Sequence, residues 1–565
     1  MSMGRLDSPS RPKGPAVAGG GEPMDRRSGK RKAVPEADTA VAEGTLGHPL
    51  PRGGVMALRR LDDAPDAASW LLAAARRHAG GKAQLLRWAG GGLCLDAITT
   101  RVAGLAHRMT AAGLRPGDVC VLAGEQIPEV WLALLACWRA GMIAAPLTPA
   151  VSWKPNLLRF LRPRRIVQLR MGDMPAPLPG ASLPVIDLDA HAGPGSLPPM
   201  PGREAFPDSW PALLLHSSGT TGRPKRILHD HGSIVALARC LGPHVLDEQG
   251  AGVLAGTPGF GFAYGLGLLL IAPLARGRPV VLAGRRRLAE LVDLAMAAGV
   301  DTLVSVPTGY RRLLADRHDC LPAAFRCLFT AGEPLDEGTG SRLAAEGARI
   351  VDLLGSSEML SPFAASDGRH PGLRALPGFV LAARTGRSVA GVAAGVAGEL
   401  LVKGPTAGRM AGRVDHRRAV YRGWLRTHDL VCFLAEERFQ VLGRLDDIIV
   451  SRGVNIAPRE VEAAFADLPE LAAIAVTGLP DDIQGQRIVA VVVPAAGSRV
   501  RIDGRSLIAR LHHLARARLA PWKRPQAWLI VDELPMTATG KLRRGELRLL
   551  VQSRRQDLFQ SEEIA

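Results

Sequence analysis

Apolar segments of strand and helix length alternate between residues 97 and 149, and this alternation constrains the fold more than any other feature of the chain. Ala97 to Ala112 carries apolar residues at helical spacing and stops at Gly113. Val119 to Leu122 is a short apolar run after the turn Pro116-Gly117-Asp118. A second helical run, Pro128 to Ala140, leads into the strand Met142 to Pro146. Strand, helix and strand at this spacing imply parallel strands joined by crossover helices. Similar short apolar runs recur near Ile166–Leu169, Pro279–Leu282, Thr302–Val306, Cys327–Thr330 and Ile350–Leu353. The character changes after Gly398. Glu399–Gly404 and Phe439–Gly443 read as strands of a more antiparallel layer, and from Asp447 the pattern is a smaller α+β unit. That unit reads as a helix at Pro458–Ala466, strands at Leu471–Thr477 and Arg487–Val493, and a helix at Gly504–Leu519. The predicted class is α/β: a large N-terminal domain of parallel α/β layers with a β-rich layer, then a small α+β C-terminal domain.

At 565 residues the chain is too long for one hydrophobic core. Aromatic residues make up only 4% of it, so Leu, Val, Ile and Ala must fill the interior. The formal charge is +18. The excess is mostly scattered Arg, with no basic helix interleaved with aromatics, so a site for polyanionic nucleotides fits better than nucleic-acid binding. Seven cysteines, Cys94, Cys120, Cys137, Cys240, Cys320, Cys327 and Cys432, show neither paired nor zinc-type spacing. Reduced thiols and a cytoplasmic location are the expectation. Residues 1–45 are rich in Gly, Pro, Arg and Lys and read as a flexible tail without a signal-peptide core. The uncharged, apolar stretch Pro258–Ala275 is short for a membrane span and broken by glycines, so it reads as a loop plus a buried helix.

The strongest chemical signal is Ser217-Ser218-Gly219-Thr220-Thr221-Gly222-Arg223-Pro224-Lys225, which follows the apolar strand Ala212–Leu215. Small hydroxylated residues let backbone N–H groups approach phosphate oxygens, and Lys225 adds positive charge. The spacing is neither a Walker A loop nor a Rossmann fingerprint.

This run resembles the phosphate loop of the adenylate-forming superfamily: acyl-CoA synthetases, peptide-synthetase adenylation domains and luciferases. Further resemblances follow in order. They are Ala331-Gly332-Glu333-Pro334-Leu335, Leu354-Gly355-Ser356-Ser357-Glu358-Met359, Gly398 to Pro405, Arg426-Thr427-His428-Asp429, Gly443 to Gly453 with Glu460-Val461-Glu462, and Thr539-Gly540-Lys541. The likeness spans roughly residues 70–550.

The resemblance implies a role for each position. Ser217, Ser218, Gly219, Thr220, Thr221, Gly222 and Lys225 would cradle phosphates, and Gly332, Glu333 and Pro334 would lie beside adenine. Glu358 would hold Mg²⁺ against ATP phosphates, as a hard cation takes carboxylate oxygens; Ser357 would keep a hydroxyl for the α-phosphate. Asp429, read as a loop residue, would accept the ribose hydroxyls with Arg444 beside it. Lys541 would bridge the acid and the α-phosphate in the transition state. Asp446 would be the hinge on which the small domain turns, and Ser451 and Gly453 would line the thiol entry. The implied organisation is a tail at 1–55, an AMP-binding domain at 56–443, a hinge at 444–446, a C-terminal domain at 447–552 and a tail at 553–565.

Phe260-Gly261-Phe262-Ala263-Tyr264-Gly265-Leu266-Gly267 resembles the benzoate-CoA ligase branch. It would place Tyr264, Ala331 and Gly355 in an acyl pocket; otherwise these aromatics are core. The expected activity is an ATP-dependent acid–thiol ligase using ATP, Mg²⁺ and coenzyme A, first for an aryl acid and second for a medium-chain acid. A carrier-protein thiol is an alternative acceptor. A nucleotide-binding homologue without catalysis is the reading of another class. His428 stands where the family has Gly, Leu354 where an adenine-stacking Tyr is common, and Ser361 where the benzoate branch tends to have His.

Overall fold

The expected alternation folds into two separate sheets, each parallel at its centre. A computed structural model describes residues 54–560 apart from 148–164, 173, 175–182, 190–205, 218–224, 318–320, 334, 336, 346, 387, 391–393, 411–418, 436, 496–503 and 537–541. In one sheet Val119–Ala123 lies parallel to both Ile143–Leu147 and Ile166–Arg170. Pro211–Ser217 joins Ile143–Leu147 in parallel, and Lys225–Asp230 then turns back antiparallel. The helices Leu95–Ala111 and Pro128–Arg139 bury their apolar residues in the main core. The latter begins with Pro128, whose missing N–H is no loss in a first helical turn.

Among the described residues the second sheet has nine strands. Its centre is parallel: Val280–Leu282, Leu254–Gly256, Thr302–Ser305, Cys327–Ala331 and Arg349–Ser356 in spatial order. One face packs on the main core. The other is covered by the helices Leu288–Ala297 and Pro307–Arg317, which carry a separate cluster around Tyr310 and Phe325. The stretch expected to be a loop and buried helix is one: Ala263–Leu266 is helical and continues through a π-helical segment, Gly267–Ile271, to Ala275. Gly265 is required there, because a Cβ would lie 2.3 Å from the Gly259 carbonyl oxygen.

A third, antiparallel sheet holds Val380–Thr385, Ala397–Lys403, Trp424–Phe433 and Phe439–Arg444. From Ile449 onward a fourth sheet and its own apolar clusters form, centred on Gly485–Pro494. Its long partner Leu471–Asp481 extends past the predicted end at Thr477, because Gly485 with φ +79° closes a tight turn well beyond it. Among the described residues the cysteines are free, and no helix is long and apolar enough to cross a membrane.

Candidate active site

Residues from separate sheets meet at the ends of their strands. Ser217 pairs with Lys225 in the antiparallel ladder, so the two ends of the phosphate-loop sequence are fixed side by side. The loop residues Ser218, Gly219, Thr220, Thr221 and Gly222 lie outside the described residues, as do Pro334 and Lys541. Lys225 Nζ stands 3.6 Å from Glu358 Oε1, which brings two of the expected phosphate and metal residues together. Glu358 sits in a 3₁₀ turn, Ser357–Met359, at the exit of the strand Arg349–Ser356. The Ser356 hydroxyl caps it by accepting from the Met359 N–H at 3.3 Å.

The metal fit rests on this donor set. Among the described residues no group of three or more His, Cys, Asp or Glu could hold an ion alone. Glu358 therefore offers one hard carboxylate, and phosphate oxygens and water would complete the shell. That is the habit of Mg²⁺ rather than of an all-protein cage.

Asp429 and Arg444 also meet. Arg444 donates to Asp429 Oδ1 at 3.0 Å and to the Thr427 carbonyl at 2.8 Å. The two residues are cross-strand partners. The expectation of a loop at Asp429 is corrected: it lies inside the strand Trp424–Phe433. His428 takes φ +60°, the left-handed conformation that a glycine adopts freely, so the strand passes through a local kink there and continues. Burial pushes the Asp429 carboxyl up, and Arg444 pulls it back down.

Glu333 takes another partner. Its carboxylate accepts from the Thr308 N–H at 3.0 Å and the Thr308 hydroxyl at 2.6 Å, and pairs with Arg311 at 3.2 Å. It neutralises the N-terminus of the helix Pro307–Arg317. Its neighbour Gly332 holds φ +89°, so the chain leaves the strand sharply after the buried Ala331. Tyr264 packs against the main core, and its hydroxyl donates to the Ser305 carbonyl at 3.3 Å. Burial holds that phenol well above its ordinary pKa. Gly355 is exposed.

Near the hinge sequence, Arg548 donates to the Asp446 carbonyl and pairs with Asp447 at 3.1 Å. Ser451 and Val454 close a hairpin whose turn residues, Arg452 and Gly453, both have positive φ, as a two-residue type I′ turn requires. Ser451 is buried.

Two charged residues that the sequence did not single out face this region. Asp352 follows the strand partner Thr330 in register, and Arg459, from the helix Pro458–Ala463, exerts its charge on both Asp352 and Asp429. Burial pushes the Asp352 carboxyl up to about 7, against the Leu353 N–H and Arg459, which lower it. Arg459 lies far along the chain from both acids, so no local pattern marks it.

Asp352 makes stability pH-dependent in a defined sense. Its folded pKa exceeds the unfolded one, so its contribution falls as pH rises from the unfolded value through about 7 and is level above that. Asp352→Asn is expected to flatten that part of the profile, by up to about 4 kcal/mol between pH 4 and pH 8. Denaturant unfolding at a series of pH values measures it, and parallel profiles for the two proteins would refute it.

Comparison with known proteins gives a consistent picture. Residues 96–412 match the family described as AMP-binding enzyme, and residues 460–541 match the AMP-binding enzyme C-terminal domain. The chain is 31% identical over 494 residues to a feruloyl-CoA synthase of an Amycolatopsis species, covering 82% of this chain and 95% of that protein. It is 31% identical over 468 residues to a benzoate–CoA ligase of Thauera aromatica, covering 78% and 87% respectively. Among solved structures, a benzoate CoA ligase from Burkholderia xenovorans LB400 superposes with a TM-score of 0.72 at 25% identity, covering 86% of this chain and 99% of that one.

Proposed function

Since this chain belongs to the AMP-binding enzyme family, we propose that it joins an aryl carboxylic acid to the thiol of coenzyme A in two steps driven by ATP. It is an AMP-forming acid–thiol ligase. In the first step a carboxylate oxygen bonds to the α-phosphorus of ATP and the bond to pyrophosphate breaks. In the second the thiol sulfur bonds to the acyl carbon, AMP departs with the carboxylate oxygen, and the thiol proton passes to water. The observation that carries the reading is the convergence of Lys225 with Glu358 from separate sheets; Asp429 and Arg444, the acid largely buried and the arginine partly exposed, are a second expected pair that the fold joins.

The residues divide the work by chemistry. Asp429 can accept two ribose hydroxyls with one carboxylate, and Arg444 holds that carboxylate in place. Lys225, at the end of the phosphate-loop sequence, supplies positive charge for the phosphates. Magnesium, when bound through Glu358, neutralises phosphate charge and polarises the phosphoryl oxygens. Lys541 adds positive charge where the carboxylate and α-phosphate approach each other. Asp446 serves as the hinge that exchanges Lys541 for the Ser451–Gly453 hairpin and the incoming thiol.

The aryl preference is supported by Tyr264, a half-buried aromatic side chain packed against the main core. It is supported also by the relatives, one a feruloyl-CoA synthase and one a benzoate–CoA ligase. With Mg·ATP, CoA and a panel of benzoate, hydroxybenzoate, ferulate and hexanoate, the expected products are AMP, pyrophosphate and aryl-CoA. ADP and phosphate would overturn the reaction class. Turnover confined to hexanoate would overturn the aryl preference, and adenylate that transfers only to a phosphopantetheinyl carrier would overturn the CoA acceptor.

A further inference from the structure

The turn that presents Glu358 does not hold its shape unaided. Leu360, which follows it, has φ +56° and is fully buried. A left-handed conformation costs a leucine roughly 1–2 kcal/mol, so the surroundings must over-determine this turn.

Two contacts from outside do so. Gly408 N–H donates to the Glu358 carbonyl at 2.8 Å. His229 Nε2 lies 2.9 Å from the Ser357 carbonyl. A carbonyl oxygen can only accept, so Nε2 carries the proton in this contact. The ring is fully buried, with the Thr406 backbone as a second polar neighbour. What the imidazole adds is one directed N–H, aimed at the backbone of the residue before Glu358.

The surrounding packing keeps that N–H in line. A Cβ on residue 408 would lie 2.5 Å from His229 Cε1 and 2.6 Å from Ile227 Cγ2, so only a glycine lets the 408 backbone close on the ring. The strand Lys225–Asp230 thus grips the turn twice. Lys225 takes the Glu358 carboxylate at one point and His229 takes the Ser357 carbonyl at another.

We propose that His229 is a positioning residue: it fixes the Ser357–Glu358 turn so that Glu358 points its carboxylate to the magnesium of Mg·ATP. The inference rests on reading Glu358 as the magnesium ligand.

The test compares His229→Gln, which keeps a donor N–H at the Nε2 position, with His229→Met, which has similar length and no donor. ATP affinity is measured by calorimetry on the full chain without acid, once with Mg²⁺ and once with EDTA. His229→Met is expected to lose about tenfold of the affinity gained from Mg²⁺, as for one directed hydrogen bond. Its Mg²⁺-free ATP affinity and its KM for the acid stay near wild type, and His229→Gln retains most of the Mg²⁺ gain. Gly408→Ala, which drives the ring off the carbonyl from the other side, is expected to mimic His229→Met and stands in for it if that variant does not fold.

Equal Mg²⁺ gains in wild type, His229→Met and Gly408→Ala would overturn the proposal. So would a fall in Mg²⁺-free ATP affinity matching the Mg²⁺-bound one, which marks a merely structural role. Glu358→Gln separates the two readings. If it abolishes the Mg²⁺ gain while His229→Met leaves the gain intact, only the positioning role fails. If Glu358→Gln keeps the gain, Glu358 is not the ligand and both fail.

Discussion

Lys541→Ala is expected to slow acyl-adenylate formation about 10²–10³-fold, the usual loss when one preorganised charge contact is removed from a transition state. The lysine would meet the carboxylate and the α-phosphate only while the bond between them forms. Thioester formation from supplied acyl-adenylate is therefore expected to stay within a few-fold of wild type. The two half-reactions are assayed separately, by pyrophosphate release and by thioester formation. Equal loss in both would mean that Lys541 does not act in adenylation alone. Unchanged circular dichroism and thermal melting of the variant exclude a folding defect as the cause.

The second large effect concerns stability. Glu399 is only 2% exposed and lies on the strand Ala397–Lys403, beside the strand that carries Asp429. Its carboxylate accepts from Arg384 Nε at 2.6 Å and from Arg426 Nε at 3.0 Å, with His428 Nδ1 at 3.8 Å. Breaking a buried ion pair by removing one partner typically costs about 3–5 kcal/mol. Both arginines here are partly exposed, which places Glu399→Ala near the lower end. Denaturant unfolding is expected to show that loss together with weaker ATP binding, because the kink at His428 loses its support next to Asp429. Glu399→Gln, which keeps the acceptor oxygen but not the charge, is expected to fall between the two. Unfolding of Glu399→Ala that matches wild type would refute this account.

The Glu399 network also shows where reading the chain stops. Glu399 was recognisable only as part of a strand, since its partners depend on how three strands align. Glu333 is the opposite case. The family resemblance puts it beside adenine, and the structure adds a contact that the resemblance does not indicate: its carboxylate caps the helix that starts at Pro307. A helix N-terminus within reach offers a carboxylate stronger hydrogen bonds than solvent does, and sequence order does not reveal which helix will be near. Asp429 reads from the sequence as a loop residue, with His428 before it where the family has Gly. The strand continues through it because one residue in the left-handed region kinks a strand without ending its ladder.

The sequence by itself determined the α/β class, the order of the strands and crossover helices, and the motifs that mark the family. These depend on short-range periodicity and on residue types at fixed spacing, which the chain carries locally. Only the tertiary structure decided which groups come together: Lys225 with Glu358, Arg444 with Asp429, and His229 with the Ser357 carbonyl. Each contact joins residues from different elements. Whether a side chain becomes a ligand, a cap or a clamp depends on burial and on the partner that burial brings within hydrogen-bond distance, and neither is a property of neighbours in sequence.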